Sequence, residues 1–367
     1  MLTFEQFLEK QALSSILSIL SHLTLQEKKQ LEMMLGQFSK EQLFLQREVV
    51  KNVKVPSELN AHPKAIAIEN SKNITKPFGA ILLAGGQGTR LGLLSPKGCF
   101  ELEKGVTLFQ VIVSKLNHPL GYLAVMTSFD NHLETIEHFE KNHFFGLDRT
   151  QVDFFSQDVS PILDENLSWF LNEKKELSKS PSGNGSVYGA FVNSPIFKKW
   201  KENCVHTINI LPVDNFLASP QDEALIHQIE SGKALAIKAI EKESLHEPIG
   251  TLMLSNNCLK VVEYSEKPML GLGYSGLCSL SIDFFEQAAS QALPLHLAKK
   301  KGKKWSVSGV QEVNVYKFET FLFDAFEFAP SFVILNSCRK KTFCPLKNKT
   351  GKGGIEYVQN AYQEFKK

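Results

Sequence analysis

Residues 82–98 read LLAGGQGTRLGLLSPKG. Four glycines stand at 85, 86, 88 and 92, and Arg90, Pro96 and Lys97 lie among and just after them. The residues before the glycines, AILL (80–83), form the apolar run that a buried strand makes. In parallel α/β sheets, ligands bind beyond the carboxyl ends of strands. Glycine has no Cβ, so successive backbone N–H groups can close around a phosphate. The stretch is not a Walker A loop, because no Gly-Lys-Ser/Thr closes it. It is a poor dinucleotide fingerprint too: the last glycine is misplaced, and Gly92 and Pro96 would break the helix that a pyrophosphate caps. The remaining reading is a nucleotide loop with Arg90 and Lys97 reaching a triphosphate. Pro96 fixes the chain just before Lys97.

The rest of the chain supports a sheet behind that loop. NHLETIEHFEKN (131–142) and QDEALIHQIESGK (221–233) have helical spacing, whereas LGYLAVMTS (120–128), VDFFSQD (152–158), CVHTINILPVDN (204–215) and ALAIKAIEK (234–242) read as strands. Strands alternating with helices predict an α/β fold: a mostly parallel sheet flanked by helices. IGTLMLSNNCLKVVEYSEKP (249–268) predicts an antiparallel pair turning at Ser255-Asn256-Asn257. VYKFETFLFDAFEFA (315–329) predicts an aromatic-rich amphipathic helix. Before the sheet, Thr24 and Ser39 read as helix N-caps, the first with Glu27 completing a capping box. Prolines 56, 63 and 77 mark a linker. The expected division is 1–77, a helical region and linker; 78–345, the catalytic domain; and 346–367, a short C-terminal remnant.

A net charge of +2 provides no bulk field for nucleic acid or a membrane surface, so any anion-binding cations must be placed locally. The six cysteines form no CxxC pair, which predicts free thiols in a reducing compartment. The N-terminus carries charges where a signal peptide needs an apolar run. No apolar run is long enough to span a bilayer. These features predict a cytoplasmic protein with no membrane or nucleic-acid partner.

LAGGQGTRLG…PKG resembles the signature of the UDP-N-acetylhexosamine pyrophosphorylases, within the eukaryotic-type UDP-sugar pyrophosphorylases. FFSQ (154–157), PSGNGSVYGAF (181–191), LPVDN (211–215), EPIG (247–250), VVEYSE (261–266), LPLHLAKKK (293–301), FLFDAFEFA (321–329) and FCPLKN (343–348) resemble that family's blocks, in the family's order. The resemblance implies a Rossmann-like, glycosyltransferase-A-like nucleotidyltransferase that joins UTP to a sugar 1-phosphate and releases pyrophosphate. It implies that the backbone of Leu83, Ala84, Gly85 and Gly86 holds the nucleotide, with Arg90 and Lys97 as the catalytic cations. It places Gln157 and Gly183 at the uracil, Lys317 and Lys347 near the substrates' phosphates, and Asn184, Glu263 and Tyr264 at the sugar. Asp214 becomes the carboxylate for Mg²⁺ or Mn²⁺, and Phe321 and Phe323 are candidates for the sugar wall.

Two departures qualify that resemblance. The family's NxxN-like sugar element should follow VVEYSE, yet residues 271–285 contain no asparagine. Leu277 falls where an amide is expected, which predicts a pocket with fewer sugar contacts and broader sugar use. N-acetylglucosamine, glucose, galactose and N-acetylgalactosamine 1-phosphates all stay open as substrates. A further C-terminal domain, usual in the family, is not expected after residue 367, so a monomer is expected. The rival readings are a UTP–glucose-1-phosphate or broad UDP-sugar enzyme, a pyrophosphorylase for another base, and a catalytically weak sugar-nucleotide sensor. A dinucleotide oxidoreductase ranks last, because no acidic residue follows the loop at the required distance.

Overall fold

The run FGAILL (78–83) lies at the centre of a 10-stranded sheet, and five of its six residues are buried. The computed structural model describes residues 4–10, 13–52, 59, 61–68, 73–88, 91–93 and 95–367, so Pro56 and Arg90 lie outside the described residues. Two compact units emerge. The larger comprises Ser57–Gln157, Gly185–Ala292 and Leu322–Lys367; the smaller comprises Met1–Pro56, Asp158–Asn184 and Leu293–Phe321.

In the larger unit we number the strands β1 (Ile66–Ala67), β2 (Phe78–Leu83), β3 (Gly121–Thr127), β4 (Val152–Ser156), β5 (Thr207–Pro212), β6 (Leu235–Glu241), β7 (Leu272–Ser281) and β8 (Phe332–Asn336). They lie in the order β1-β8-β6-β7-β5-β2-β3-β4. Only β7 runs against its neighbours in this path. The chain moves outward from β2 through β3 to β4, then returns to lay β5 on the other side of β2. That reversal is a topological switch point, where the loops after β2 and β5 part and leave a crevice. On one face of the sheet Phe78, Leu82, Leu123 and Val125 pack among Phe109, Phe139, Leu225 and Ile229 of flanking helices, and on the other Trp200 lies against Gly79 and Tyr122.

The expected antiparallel pair is present as Thr251–Ser255 against Cys258–Val262, with Asn256 and Asn257 both at positive φ in its turn. The expected helix at 315–329 is absent. Gly309–Glu319 is a long strand paired with His296–Ser306, and only Leu322–Phe328 winds, as a 3₁₀ helix. Val315 and Phe318 are buried three residues apart, on opposite faces of the strand and in separate apolar clusters, while pairing with His296–Ser306 and with Leu163–Asp164 holds the segment extended. β5 also stops at Pro212, and Asp214 stands in the turn beyond it.

The smaller unit packs the helices Leu25–Leu35 and Lys40–Lys51 with the long hairpin and residues 163–177 around Leu31, Leu35, Leu43, Trp169 and Phe318. Thr24 and Glu27 form the reciprocal capping box, a feature worth about 1 kcal/mol to such a helix. Gln46 is fully buried and fully used: its amide donates to Ser160 Oγ and Pro161 O, and its oxygen accepts from Trp169 Nε1. All six cysteines are unpaired. Among the described residues no helix is long and apolar enough to cross a membrane.

Candidate functional site

The loop after β2 is built to hold something at its backbone. Leu83 O accepts from Val213 N–H at 3.1 Å, which ties the ends of β2 and β5 together. Ala84 is committed inward, its N–H to Met126 O and its carbonyl to the Asn131 amide, so the open backbone begins at Gly85. Among the described residues no acceptor takes the N–H groups of Gly85, Gly86 or Gln87. Successive backbone N–H groups without a described acceptor can take an anion. Lys97 N–H returns to Gly86 O at 3.2 Å and closes the loop at its base.

That closure places Lys97 beside Asp214, with Nζ 3.1 Å from Oδ2. The two residues are far apart in sequence, and the switch point brings them together. Each side chain is 18% exposed, so the pair is reachable by a ligand and only partly screened by water. A second pair of candidates meets at Gly85, where a Cβ would lie 2.2 Å from Gln157 Nε2. Only glycine lets the Gln157 amide lie against the loop. Gln157 N–H extends the sheet by bonding Thr127 O, which sets the side chain at the same edge.

Lys347 is exposed, and its N–H bonds Gly353 O. Its neighbour Leu346 donates to Asp214 O at 2.8 Å, so the PLKN segment is anchored on the turn that carries Asp214. The residue responsible for this join is Asn215. It is fully buried, its amide donates to Thr342 O at 2.7 Å, and its oxygen accepts from Cys344 N–H at 3.0 Å. The sequence reading passed over Asn215 as part of LPVDN. A buried amide must find its partners, and these are long-range, so sequence spacing did not expose them.

Glu263 follows the antiparallel hairpin and acts, with Glu247, on the buried Lys242 at the end of β6; burial lowers that lysine's pKa and the two carboxylates oppose the shift. Tyr264 is exposed. Leu277, expected beside the hexose, is buried in the core cluster that contains Leu211, Val213, Leu225 and Ala236. Tyr274 of the same strand instead meets the rings of Phe323 and Phe326 edge-on. The argument that Leu277 broadens sugar use therefore loses its structural basis.

Gly183, Asn184 and Lys317 belong to the smaller unit. Gly183 has φ +88, and a Cβ there would lie 2.4 Å from Thr320 O, so packing alone demands glycine. Asn184 opens a 3₁₀ turn, and Lys317 pairs across the hairpin with Ala298. Phe321 stacks on His296 at 4.2 Å.

Lys115 supports the Asp214 turn from behind. Its ammonium donates to Phe216 O at 2.5 Å and Ala218 O at 3.0 Å. Burial pushes its pKa down to about 8, from 10.5 for an ordinary lysine. Between these values the unfolded chain holds a proton that the folded protein has released, so this group makes unfolding harder as pH rises through the window. Denaturant unfolding of wild type and Lys115→Met at about pH 7.5 and about pH 10 tests this. The stability difference should move in the wild type's favour at the higher pH; a difference independent of pH contradicts it.

Among the described residues no group of three or more His, Cys, Asp or Glu could hold a metal. Asp214 stands as a single carboxylate. Mg²⁺ commonly uses one or two carboxylates and completes its shell with water and substrate phosphates, so this donor set fits such an ion.

Residues 25–272 match the family described as UTP--glucose-1-phosphate uridylyltransferase. The chain is 33% identical over 315 residues to a Schizosaccharomyces pombe protein named "Probable UDP-N-acetylglucosamine pyrophosphorylase", the alignment covering 73% of this chain and 66% of that protein. It is 33% identical over 307 residues to the UDP-N-acetylglucosamine pyrophosphorylase of Saccharomyces cerevisiae, covering 74% of this chain and 64% of that one. The chain thus spans less than two thirds of either relative. A crystal structure of the Trypanosoma brucei uridine diphosphate N-acetylglucosamine pyrophosphorylase in complex with an inhibitor superposes with a TM-score of 0.80 at 25% identity, covering 97% of this chain and 83% of that chain. With the matched family spanning the glycine loop, β2 to β6 and the hairpin before Glu263, the chain belongs to the UTP--glucose-1-phosphate uridylyltransferase family.

Proposed function

We propose that the protein is a UTP-dependent sugar-1-phosphate uridylyltransferase acting on N-acetylglucosamine 1-phosphate. The observation that carries this reading is the Lys97–Asp214 pair, set at the switch point beside a glycine loop with free backbone N–H groups. The names of the relatives support the choice of sugar. In the reaction a phosphate oxygen of the sugar phosphate attacks the α-phosphorus of UTP. The bond from that phosphorus to the bridging oxygen breaks, and pyrophosphate leaves with the electron pair. Such transfer needs alignment of two polyanions and positive charge on the oxygens, with little covalent work from the protein. Lys97 provides a fixed cation at the centre, the Gly85–Gln87 N–H groups hold phosphate oxygens, and the Gln157 amide offers a donor and an acceptor to the base. Asp214 would hold the divalent ion, which when bound neutralises phosphate charge as the substrates approach.

Incubating the full chain with UTP, Mg²⁺ and the 1-phosphates of glucose, galactose and both N-acetylhexosamines, and measuring pyrophosphate release, tests the proposal. N-acetylglucosamine 1-phosphate should give the highest kcat/KM. Absence of pyrophosphate with every sugar would overturn the reaction, and a higher value for another sugar would overturn the choice of sugar. In the same assay Glu263→Ala should raise the KM for the sugar phosphate about tenfold and leave that for UTP within about twofold. Equal rises in both would remove Glu263 from the sugar side.

A further inference from the structure

The loop that carries Lys347 also carries Lys349, and its side chain goes elsewhere. Lys349 Nζ lies 3.0 Å from the point a Cβ would occupy on Gly92, the last glycine of the loop. Among the described residues no carboxylate pairs with Lys349. The contact has a packed foundation. Leu91 shares an apolar cluster with Phe216, Cys344, Leu346, Val358 and Tyr362, and Leu93 packs against it. The glycine loop, the turn after Asp214 and the C-terminal segment therefore rest on one another. The Lys349 loop is folded back on itself, with Lys347 and Asn348 both donating to Gly353 O and Ile355 N–H bonding Lys349 O. An exposed cation thus stands against Gly92, in the same loop as the Gly85–Gln87 N–H groups that no described acceptor takes.

We infer that Lys349 is a further phosphate-binding residue of this site, contacting the β- and γ-phosphates of the nucleotide, the part that departs as pyrophosphate. The inference rests on the proposed reaction. The α-phosphate must lie at the base of the loop, where Lys97 meets Asp214. The phosphates beyond it then extend toward Gly92 and the Lys349 ammonium. Lys97 belongs to the loop and Lys349 to the segment after PLKN, so a triphosphate would be gripped at both its reacting and its departing parts.

Isothermal titration of UTP into the full chain, with pyrophosphate-release kinetics alongside, tests this. Lys349→Ala should weaken UTP binding about tenfold, the usual scale for one charge-assisted contact, and Lys349→Arg should restore most of it. In the reverse reaction the KM for pyrophosphate should rise by a similar factor, and the KM for the sugar 1-phosphate should stay within about twofold. Unchanged UTP affinity in Lys349→Ala overturns the inference, and so does an equal rise in the sugar-phosphate KM. A wild type that binds UTP but releases no pyrophosphate with any sugar phosphate refutes the proposed reaction instead, and the UTP titration still decides the role of Lys349.

Discussion

Lys97→Ala should fold as the wild type does but release pyrophosphate about a hundred- to thousandfold more slowly. The fold survives because the bond that closes the glycine loop uses the Lys97 backbone, not its side chain. Asp214 loses its ion-pair partner, but at 18% exposure it can be hydrated. The rate falls because the ammonium is fixed in advance where charge builds on the phosphate oxygens. Removing one such preorganised donor typically costs about 3–4 kcal/mol of barrier. Circular dichroism and thermal unfolding establish that the variant is folded, and single-turnover rates at saturating UTP measure the loss. A folded Lys97→Ala protein with wild-type turnover would refute the assignment.

Asp214→Asn should be impaired by at least about a hundredfold at modest Mg²⁺, with part of the loss recovered as Mg²⁺ is raised. The substitution preserves shape, and the backbone carbonyl still accepts from Leu346 N–H, so the PLKN segment stays anchored. What disappears is one negative charge, the property a hard divalent ion selects. The wild type should correspondingly lose activity in excess chelator and regain it on adding Mg²⁺ or Mn²⁺. Full wild-type activity with chelator present would exclude a divalent ion from the reaction, and an Asn variant as active as wild type would exclude Asp214 from holding one.

The parallel strands were legible because their signals are local. AILL, YLAVM and TINIL are short apolar runs bounded by turn residues, and each became a central strand. The same local logic found the Thr24 cap and the Asn256-Asn257 turn. It failed at 315–329, where aromatic residues fit both periods and pairing with the preceding arm of the hairpin decided the outcome. The glycine loop and Lys97 stood out from composition alone, and Asp214 from its place after a strand. Their ion pair was not legible, because the switch point that joins β2 to β5 is a property of sheet order. Gln157 against Gly85 was hidden for the same reason. Leu277 misled because one position in a strand shifts a side chain to the opposite face, and Gly276, at φ +87, perturbs the alternation just before it.

The apolar cluster beneath the glycine loop also bears on how the protein is made. Leu91 is translated long before its partners Leu346, Val358 and Tyr362. The central strands can pair on the emerging chain long before then. The loop that would receive the nucleotide cannot reach its packed form until the helix Ile355–Phe365 has been released and has docked. A nascent chain that has not yet released that helix would hold a formed sheet with an unsupported loop.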